Sequence, residues 1–459
     1  MRLAFDELLL LQIGLALRRR EREAEVAPAL GESGEIVARY RAALPFQLTE
    51  DQERAIAQVD CDLQRTVPMQ RLLQGEVGSG KTVVALYALL RAVENGRQGA
   101  LMAPTETLAE QHFLTIEEIC RELEVKCTLL TSATPKRKRL HAQSTDIVVG
   151  THALIQEGVE LRELAVAVVD EQHRFGVEQR RALTGGRSPH VLHMTATPIP
   201  RTLALTVYGD LAVSEITKPP ADRRPIKTAW VTEERSAEAY ARLRKHLDAG
   251  RQAYVVCPLI EESETTQARA AEAEAERLRR GELRGYRIGL LHGRLRPADR
   301  RELMTQFRAR ELDVLVATTV IEVGVDVPNA TIMIVQEADR FGLAQLHQLR
   351  GRVGRGAEQS YCLLISRPRE ELTDAAVARL EALVRTNDGF ELAEVDLDLR
   401  GGGQLLGTRQ SGVTDLRFAH LRKDRRLIER ARAFADELAE RPGPLLEAAQ
   451  AQLDAPLDM

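Results

Sequence analysis

The eight residues Gly75-Glu76-Val77-Gly78-Ser79-Gly80-Lys81-Thr82 constrain this chain more than any other stretch. They fit the spacing GxxxxGK[ST], a loop whose backbone N–H groups wrap a polyphosphate at the N-terminus of a helix. Such a loop belongs between a strand and a helix. The run from Arg71 to Gln74 stands before it, and a helical pattern opens near Lys81 and stops at Asn95-Gly96, a helix C-cap signal. Lys81 would reach the β and γ phosphates of a nucleotide, and the Thr82 hydroxyl would hold Mg²⁺. A merely flexible Gly-rich turn would not account for the lysine.

Around this loop, short β-rich apolar runs alternate with longer helical patterns, the signature of a parallel sheet covered by helices. Strands are expected at 71–74, 99–103, 126–130, 146–150, 164–169 and 190–194, and again at 253–257, 288–291, 314–317, 331–335 and 361–365. Between the two sets lies Lys218-Pro219-Pro220-Ala221-Asp222-Arg223-Arg224-Pro225, where three prolines stop both helix and central strand. The expected organisation is a helical leader at 1–45, an α/β lobe at 46–218, a second at 219–367, and a mostly helical extension at 368–459 broken by Gly401, Gly402 and Gly403. Residues 268–280, rich in Ala, Glu and Arg, read as a solvated helix decorating the second lobe.

Composition narrows the partners. The 459 residues suffice for about three domains. With 44% hydrophobic and 29% charged residues, the bulk is neither disordered nor fibrous. A net charge of −4 gives no global positive field, so any polyanion contact must be local. Cys61, Cys120, Cys127, Cys257 and Cys362 form no CxxC pair and no zinc spacing, which suits a reduced, cytoplasmic protein. The apolar run Leu8 to Leu17 has Asp6 and Glu7 before it and Arg18, Arg19 and Arg20 after it, the reverse of a signal peptide and the order that favours a helix dipole. No stretch approaches the ~20 apolar residues of a membrane span, so no membrane partner is expected.

Asp170-Glu171-Gln172-His173 follows the apolar run 164–169, so its carboxylates would project from a strand end beside the phosphate loop. Two acids after a strand are commonly a solvated turn; beside residues 75–82 they become a Mg²⁺ ligand, Asp170, and a base for the attacking water, Glu171. The reaction class is nucleoside triphosphate hydrolysis. Further along, Gln348, Arg350, Arg352 and Arg355 crowd a short Gly-containing segment. The i, i+3 spacing of Arg352 and Arg355 would put two guanidiniums on one side, suited to a γ-phosphate reached across an interlobe cleft. A small-molecule kinase would not need such a second lobe, and a binding module without hydrolysis would not need Lys81, Glu171 and Arg355 together.

In order along the chain, these residues resemble the superfamily 2 helicases. Phe46, Leu48, Thr49 and Gln52 are similar to the adenine-reading Q motif, residues 75–82 to motif I, Ala103 to Gln111 to motif Ia, and Gly150-Thr151-His152 to motif Ib. Asp170 to His173 resembles motif II in its DExH form, and Thr195-Ala196-Thr197-Pro198-Ile199-Pro200-Arg201 resembles motif III. In the second lobe, His292-Gly293-Arg294 lies near motif IV, Ala317 to Asp326 resembles motif V, and Gln348 to Arg355 the QxxGRxGR of motif VI. The resemblance implies two tandem RecA-like lobes of the P-loop NTPase fold, an α/β class, with ATP and Mg²⁺ as cofactors. It implies catalytic roles for Lys81, Asp170, Glu171, Gln348, Arg352 and Arg355, and ATP contacts from Phe46, Gln52, residues 75–82, Gly324 and Asp326. Phosphate-backbone contacts are implied for Thr105, Thr151, His152, Thr195, Thr197, Arg201, His292 and Thr318.

The segments 170–177, 195–201, 341–356 and 396–410 are similar to the RecG family of branch-migrating DNA translocases. The Mfd transcription-repair coupling family shares the tail pattern but typically reads DEEH at motif II and lacks the GTRQ ending. The resemblance implies a helical extension carrying the translocation (TRG) motif, with Arg379, Arg400 and Gln410 as its key polar residues. It also implies a monomer acting on duplex, branched or forked DNA, for which a low aromatic content of 4% suits duplex tracking better than base stacking. RecG relatives normally carry an N-terminal wedge domain, and the 45 residues before Phe46 are too few for its oligonucleotide-binding barrel. The expectation is therefore a motor portion, with any wedge supplied separately.

Overall fold

Continuous apolar runs become parallel strands because a strand covered by helices on both faces buries every side chain. In the computed structural model the described residues are 2–132, 134, 144–155, 161–171, 188–196, 211–217, 224–258, 264–318, 327–356, 358–400, 418–419, 424–440, 443–444, 446–447 and 449. They form two compact units, 1–75 with 79–218 and 397–459, and 76–78 with 219–396. The expected extension 368–459 is thus divided between the units.

The first unit holds a seven-stranded sheet of order β3-β4-β2-β5-β6-β1-β7, every pairing parallel. Its strands are β1 (Gln70–Gly75), β2 (Gln98–Met102), β3 (Cys127–Leu130), β4 (Ile147–Gly150), β5 (Leu164–Asp170), β6 (His190–Thr195) and β7 (Ala212–Ile216). Helices α1 (Arg2–Glu23), α2 (Glu35–Ala43), α3 (Glu50–Leu63), α4 (Lys81–Glu94) and α5 (Glu106–Glu122) belong to the same unit. The six strands expected here all lie within a residue of the observed bounds. β7 was not expected: it alternates burial at the sheet edge and carries polar residues. Those residues pair with β1, Ser214 Oγ accepting from Arg71 Nη1 at 2.8 Å and Glu215 Oε1 from Gln74 Nε2 at 2.9 Å.

The second unit holds a six-stranded, all-parallel sheet of order β10-β11-β9-β12-β13-β8. Its elements run β8 (Lys227–Thr232), α6 (Ser236–Asp248), β9 (Gln252–Val256), α7 (Glu264–Arg280), β10 (Ile288–Leu291), α8 (Pro297–Arg308), β11 (Val314–Ala317), β12 (Ala330–Val335), α9 (Leu343–Arg350), β13 (Tyr361–Ser366), α10 (Asp374–Arg385) and the larger part of α11 (Gly389–Arg400), whose residues from Leu397 count with the first unit. β8 is the second strand without an apolar run, a half-exposed edge where Trp230 Nε1 donates to Ser366 Oγ at 2.8 Å. The solvated helix expected at 268–280 is instead amphipathic: Ala271, Ala275 and Leu278 of α7 are fully buried. Their i, i+4, i+7 spacing makes an inward stripe that the surrounding charges hide in the sequence.

The last helix, α12 (Arg425–Glu440), returns to the first unit and packs on α1. Ala4 and Leu8 meet Ile428 and Ala431, while Ile13 and Ala16 meet Ala435 and Ala439, so the two helices run parallel. Glu7 Oε2 accepts the backbone N–H groups of Phe418 and Ala419 at 3.0 and 2.9 Å, fixing the approach to α12. Past α1 the chain is pinned to the sheet at His190, whose Nδ1 accepts from Met69 N and whose Nε2 donates to Pro28 O, both at 3.0 Å. Among the described residues no helix is long and apolar enough to cross a membrane.

Candidate active site

In a parallel sheet all strand C-termini share one edge, and loops leaving that edge build the site. At the end of β1 the chain turns through Gly78 and Gly80, whose φ angles of 77° and 87° lie in the left-handed region that glycine occupies without strain. Gly80 is the N-cap of α4 and supplies no side chain to cap it, so an anion at this helix start would meet no competing side-chain cap. Lys81, largely buried, folds its Nζ back to donate to Gly75 O at 2.8 Å. A Cβ on Gly75 would meet Ser79 Oγ at 2.7 Å and Ile216 O at 2.8 Å, so the loop closes only around a residue without a side chain.

Gln52 is bound to the same loop. Thr49 and Gln52 form a capping box at the start of α3, with Gln52 Oε1 accepting Thr49 N at 2.9 Å, while Gln52 Nε2 donates to Ser79 O at 2.9 Å. One side chain thus both starts a helix and fixes the loop. Phe46 is half exposed and lines, with Gln47, Leu48 and Glu53, an open depression of ≈ 610 Å³ beside α3.

Asp170 ends β5, a strand buried along its whole length. Its Oδ1 accepts Glu171 N at 3.0 Å and its Oδ2 lies 2.8 Å from His112 Nε2 of α5. Burial alone would raise the Asp170 carboxyl, but the His112 hydrogen bond and charge, the Lys81 ammonium and the Glu171 N–H outweigh it and hold it below the usual carboxylate range. Glu171 adopts φ 50°, a left-handed turn that swings its Oε1 to accept Ala196 N, just past β6, at 3.2 Å. Hard oxygen donors at Asp170 and Thr82 fit Mg²⁺, and the glycine cradle with Lys81 fits a polyphosphate.

Along the same edge, Thr105 N-caps α5 by accepting Leu108 N at 3.3 Å, buried Thr151 accepts Ala153 N at 3.4 Å, and buried Thr195 closes β6. Two of these hydroxyls therefore serve local caps. His152 starts a short 3₁₀ turn, but its side chain lies outside the described residues, as do Thr197 and Arg201.

In the second unit, buried His292 follows β10 and buried Thr318 follows β11, the neighbouring strand, with Thr318 N donating to Leu291 O at 3.2 Å. Gln348 lies in α9 and is partly buried. Arg352 and Arg355 lie past the end of α9, so helical spacing is not what relates them. α9 ends at Arg350 with Gly351 as C-cap, and Gly354 has φ 76°, so the two residues stand on a turn and not on a helix. Arg355 Nε donates to Gly351 O at 3.3 Å. Arg350 is fully buried and structural, donating from Nη1 to Leu383 O and Thr386 O at 2.8 Å and from Nη2 to His347 Nδ1 at 3.0 Å. It ties α9 to the C-terminus of α10; from the middle of α10, Arg379 Nη2 donates to Asp339 O at 3.0 Å. Gly324, Asp326, Gln410 and the Arg400 side chain lie outside the described residues.

Three family models match in chain order: DEAD/DEAH box helicase at 49–206, helicase conserved C-terminal domain at 238–357, and ATP-dependent DNA helicase RecG, domain 3, C-terminal, at 386–450. Over 445 residues the chain is 47% identical to the ATP-dependent DNA helicase RecG of Synechocystis sp., covering 95% of this chain and 53% of that protein. The chain belongs to the RecG-type helicases. The RecG of Bacillus subtilis is 46% identical over 446 residues, 95% of this chain and 65% of its own. A solved RecG bound to a three-way DNA junction superposes with a TM-score of 0.75 at 38% identity, covering 93% of this chain and 56% of that one. The helicase MrfA bound to DNA, at TM-score 0.60 and 18% identity over 83% of this chain and 58% of its own, shares the fold. This RecG-type chain spans between about half and two thirds of the length of the curated relatives it matches. ATP use follows from the helicase family.

One residue absent from the sequence expectations stands in the site: His112. Its signal was its position on the inward face of α5, in helical register with buried Ala109, Ile116 and Cys120, where a polar side chain needs a partner.

Proposed function

We propose that this chain is the ATP-driven motor of a RecG-type translocase, moving along duplex DNA and remodelling branched or forked DNA in the cytoplasm. The observation that carries this reading is the convergence of Lys81, Asp170 and Glu171 on one sheet edge in a chain of RecG type. Lys81 and the N–H groups of residues 75–82 bind the phosphates; Phe46 and Gln52 serve the adenine side of the nucleotide. Mg²⁺, held by Thr82 and Asp170, would neutralise charge on the transferred phosphoryl group. Glu171, steered by its bond from Ala196 N, orients the attacking water and takes its proton. Gln348, Arg352 and Arg355 stabilise the γ-phosphate charge, with Gly324 and Asp326 lining the nucleotide.

Thr105, Thr151, His152, Thr195, Thr197 and Arg201 in one lobe, and His292 and Thr318 in the other, contact phosphates and carry no sequence information. Arg379, Arg400 and Gln410 couple the ATP cycle to movement. The chain works as a monomer, and fork recognition falls to a wedge module outside these residues. The test compares ATP turnover without nucleic acid, with linear duplex, with forked DNA and with RNA. Strong stimulation by both DNA forms, with affinity that falls steeply as salt rises, supports the reading; equal stimulation by RNA, or a flat salt response, overturns it.

A further inference from the structure

His112 offers its Nε2 to a carboxylate, which accepts hydrogen bonds and donates none when ionised, so Nε2 carries the proton. The bond is 2.8 Å long and shielded from water, with side-chain exposures of 13% for His112 and 12% for Asp170. The other oxygen, Oδ1, is held by Glu171 N at 3.0 Å. Two donors on different oxygens fix both the position and the rotation of the carboxylate. An apolar residue would fill the same inward site on α5, so packing alone does not call for an imidazole there. The helix carrying it begins at Thr105, whose hydroxyl caps it, and seven residues of α-helix place His112 ~10 Å along a rigid rod from that cap.

We propose that His112 is a positioning residue for Asp170: it sets the carboxylate for the divalent cation, and it makes α5 the connection through which the Thr105 loop biases the ATP site. The inference rests on the proposed function in taking Asp170 as a Mg²⁺ ligand and Thr105 as a DNA contact. Hydrogen-bond partners of metal-ligating groups hold those groups in the binding rotamer, and their loss typically weakens metal binding by about 10–100-fold. A helix that joins a DNA-contacting cap to such a partner transmits displacement at one end to the other.

The test uses the full chain and a fluorescent ADP, titrated with Mg²⁺ in the wild type, His112→Ala, His112→Gln and Asp170→Asn, with thermal melts of each. The midpoint of Mg²⁺-dependent ADP binding should rise about 10–100-fold in His112→Ala. Binding in excess chelator should stay unchanged. His112→Gln, whose amide N–H reaches about as far as Nε2, should recover most of the shift. In parallel, the ratio of ATP turnover with duplex DNA to turnover without it should fall in His112→Ala and recover in His112→Gln. A His112→Ala midpoint within about twofold of wild type overturns the proposal, as does a folded His112→Gln that behaves like the alanine variant. If His112→Ala does not fold, the glutamine variant and its melt carry the decision. A wild-type midpoint in Asp170→Asn overturns the Mg²⁺ reading of Asp170 itself, whereas a shift there with none at His112 removes only His112.

Discussion

Residues 75–82 and residues 348–355 look alike as sequence, both short runs of glycine and cationic side chains, and they are built on opposite principles. In the first run the backbone makes the shape: left-handed Gly78 and Gly80 and the start of α4 without a side-chain cap form a loop whose geometry the eight residues almost dictate. In the second run the long side chains make the contacts: Arg355 Nε reaches Gly351 O four residues back, whereas Arg350 takes its role from groups far away in sequence. Arg350 ends buried against the carbonyls of Leu383 and Thr386, more than thirty residues on. A motif made of backbone is legible locally; a motif made of long side chains is decided by its partners.

The comparison can be broken from the phosphate loop outward. Lys81→Ala should lose nucleotide affinity and turnover together, by at least about a hundredfold in kcat/KM, measured by fluorescent ADP binding and steady-state hydrolysis. Retained affinity would mean that the backbone cradle alone holds the nucleotide. Glu171→Gln should bind Mg-ATP almost as the wild type does and turn it over about 10²–10⁴ times more slowly. Near wild-type turnover would remove Glu171 as the base.

The second run should split where the first acts as a unit. Arg355→Ala should stay within about 1 kcal/mol of wild-type stability and lose about 10³-fold in turnover. Arg350→Ala should instead cost about 3 kcal/mol in urea unfolding, because several buried carbonyls lose a charged donor at once. Equal stability losses for the two would erase the distinction.

The smallest effect concerns pH and lies at the opposite end of the first sheet. Burial holds His190 below its ordinary range, more than the Pro28 carbonyl and Asp62 raise it, and its Nδ1 accepts Met69 N–H, so a second proton would face a donor. The folded state therefore binds that proton less readily than the unfolded chain. Stability from His190 is complete above the unfolded value of about 6.5 and declines as pH falls from there toward the lowered folded value. Urea midpoints measured from pH 7.5 to 5 should show this slope, and His190→Asn should flatten it.

Much of the fold was readable because both parallel sheets bury their central strands on two faces, so most of those strands carry an apolar run, as residues 164–169 of β5 do. The edge strands β7 and β8 were not, since an edge tolerates Ser214, Glu215, Lys227 and Thr228, and their pairing is settled by neighbours such as Arg71 and Ser366. The inward stripe of α7 was hidden for a related reason, three small or apolar residues among many charges. In the site, the loop and the acids stood out, whereas His112 was a polar residue on a buried helix face whose partner lies 58 residues ahead.

By itself the sequence determined where many strands meet turns, that a glycine-rich loop opens α4, and that an acid pair stands at the end of β5, because glycine spacing, helix caps and apolar runs act within a few residues of one another. Only the tertiary structure decided that Gln52 fastens the phosphate loop, that His112 orients Asp170, and that Arg350 is a tie between α9 and α10. Each of these is a hydrogen bond between side chains or carbonyls tens of residues apart, and its existence depends on how the strands are ordered in the sheet and how the helices pack around them.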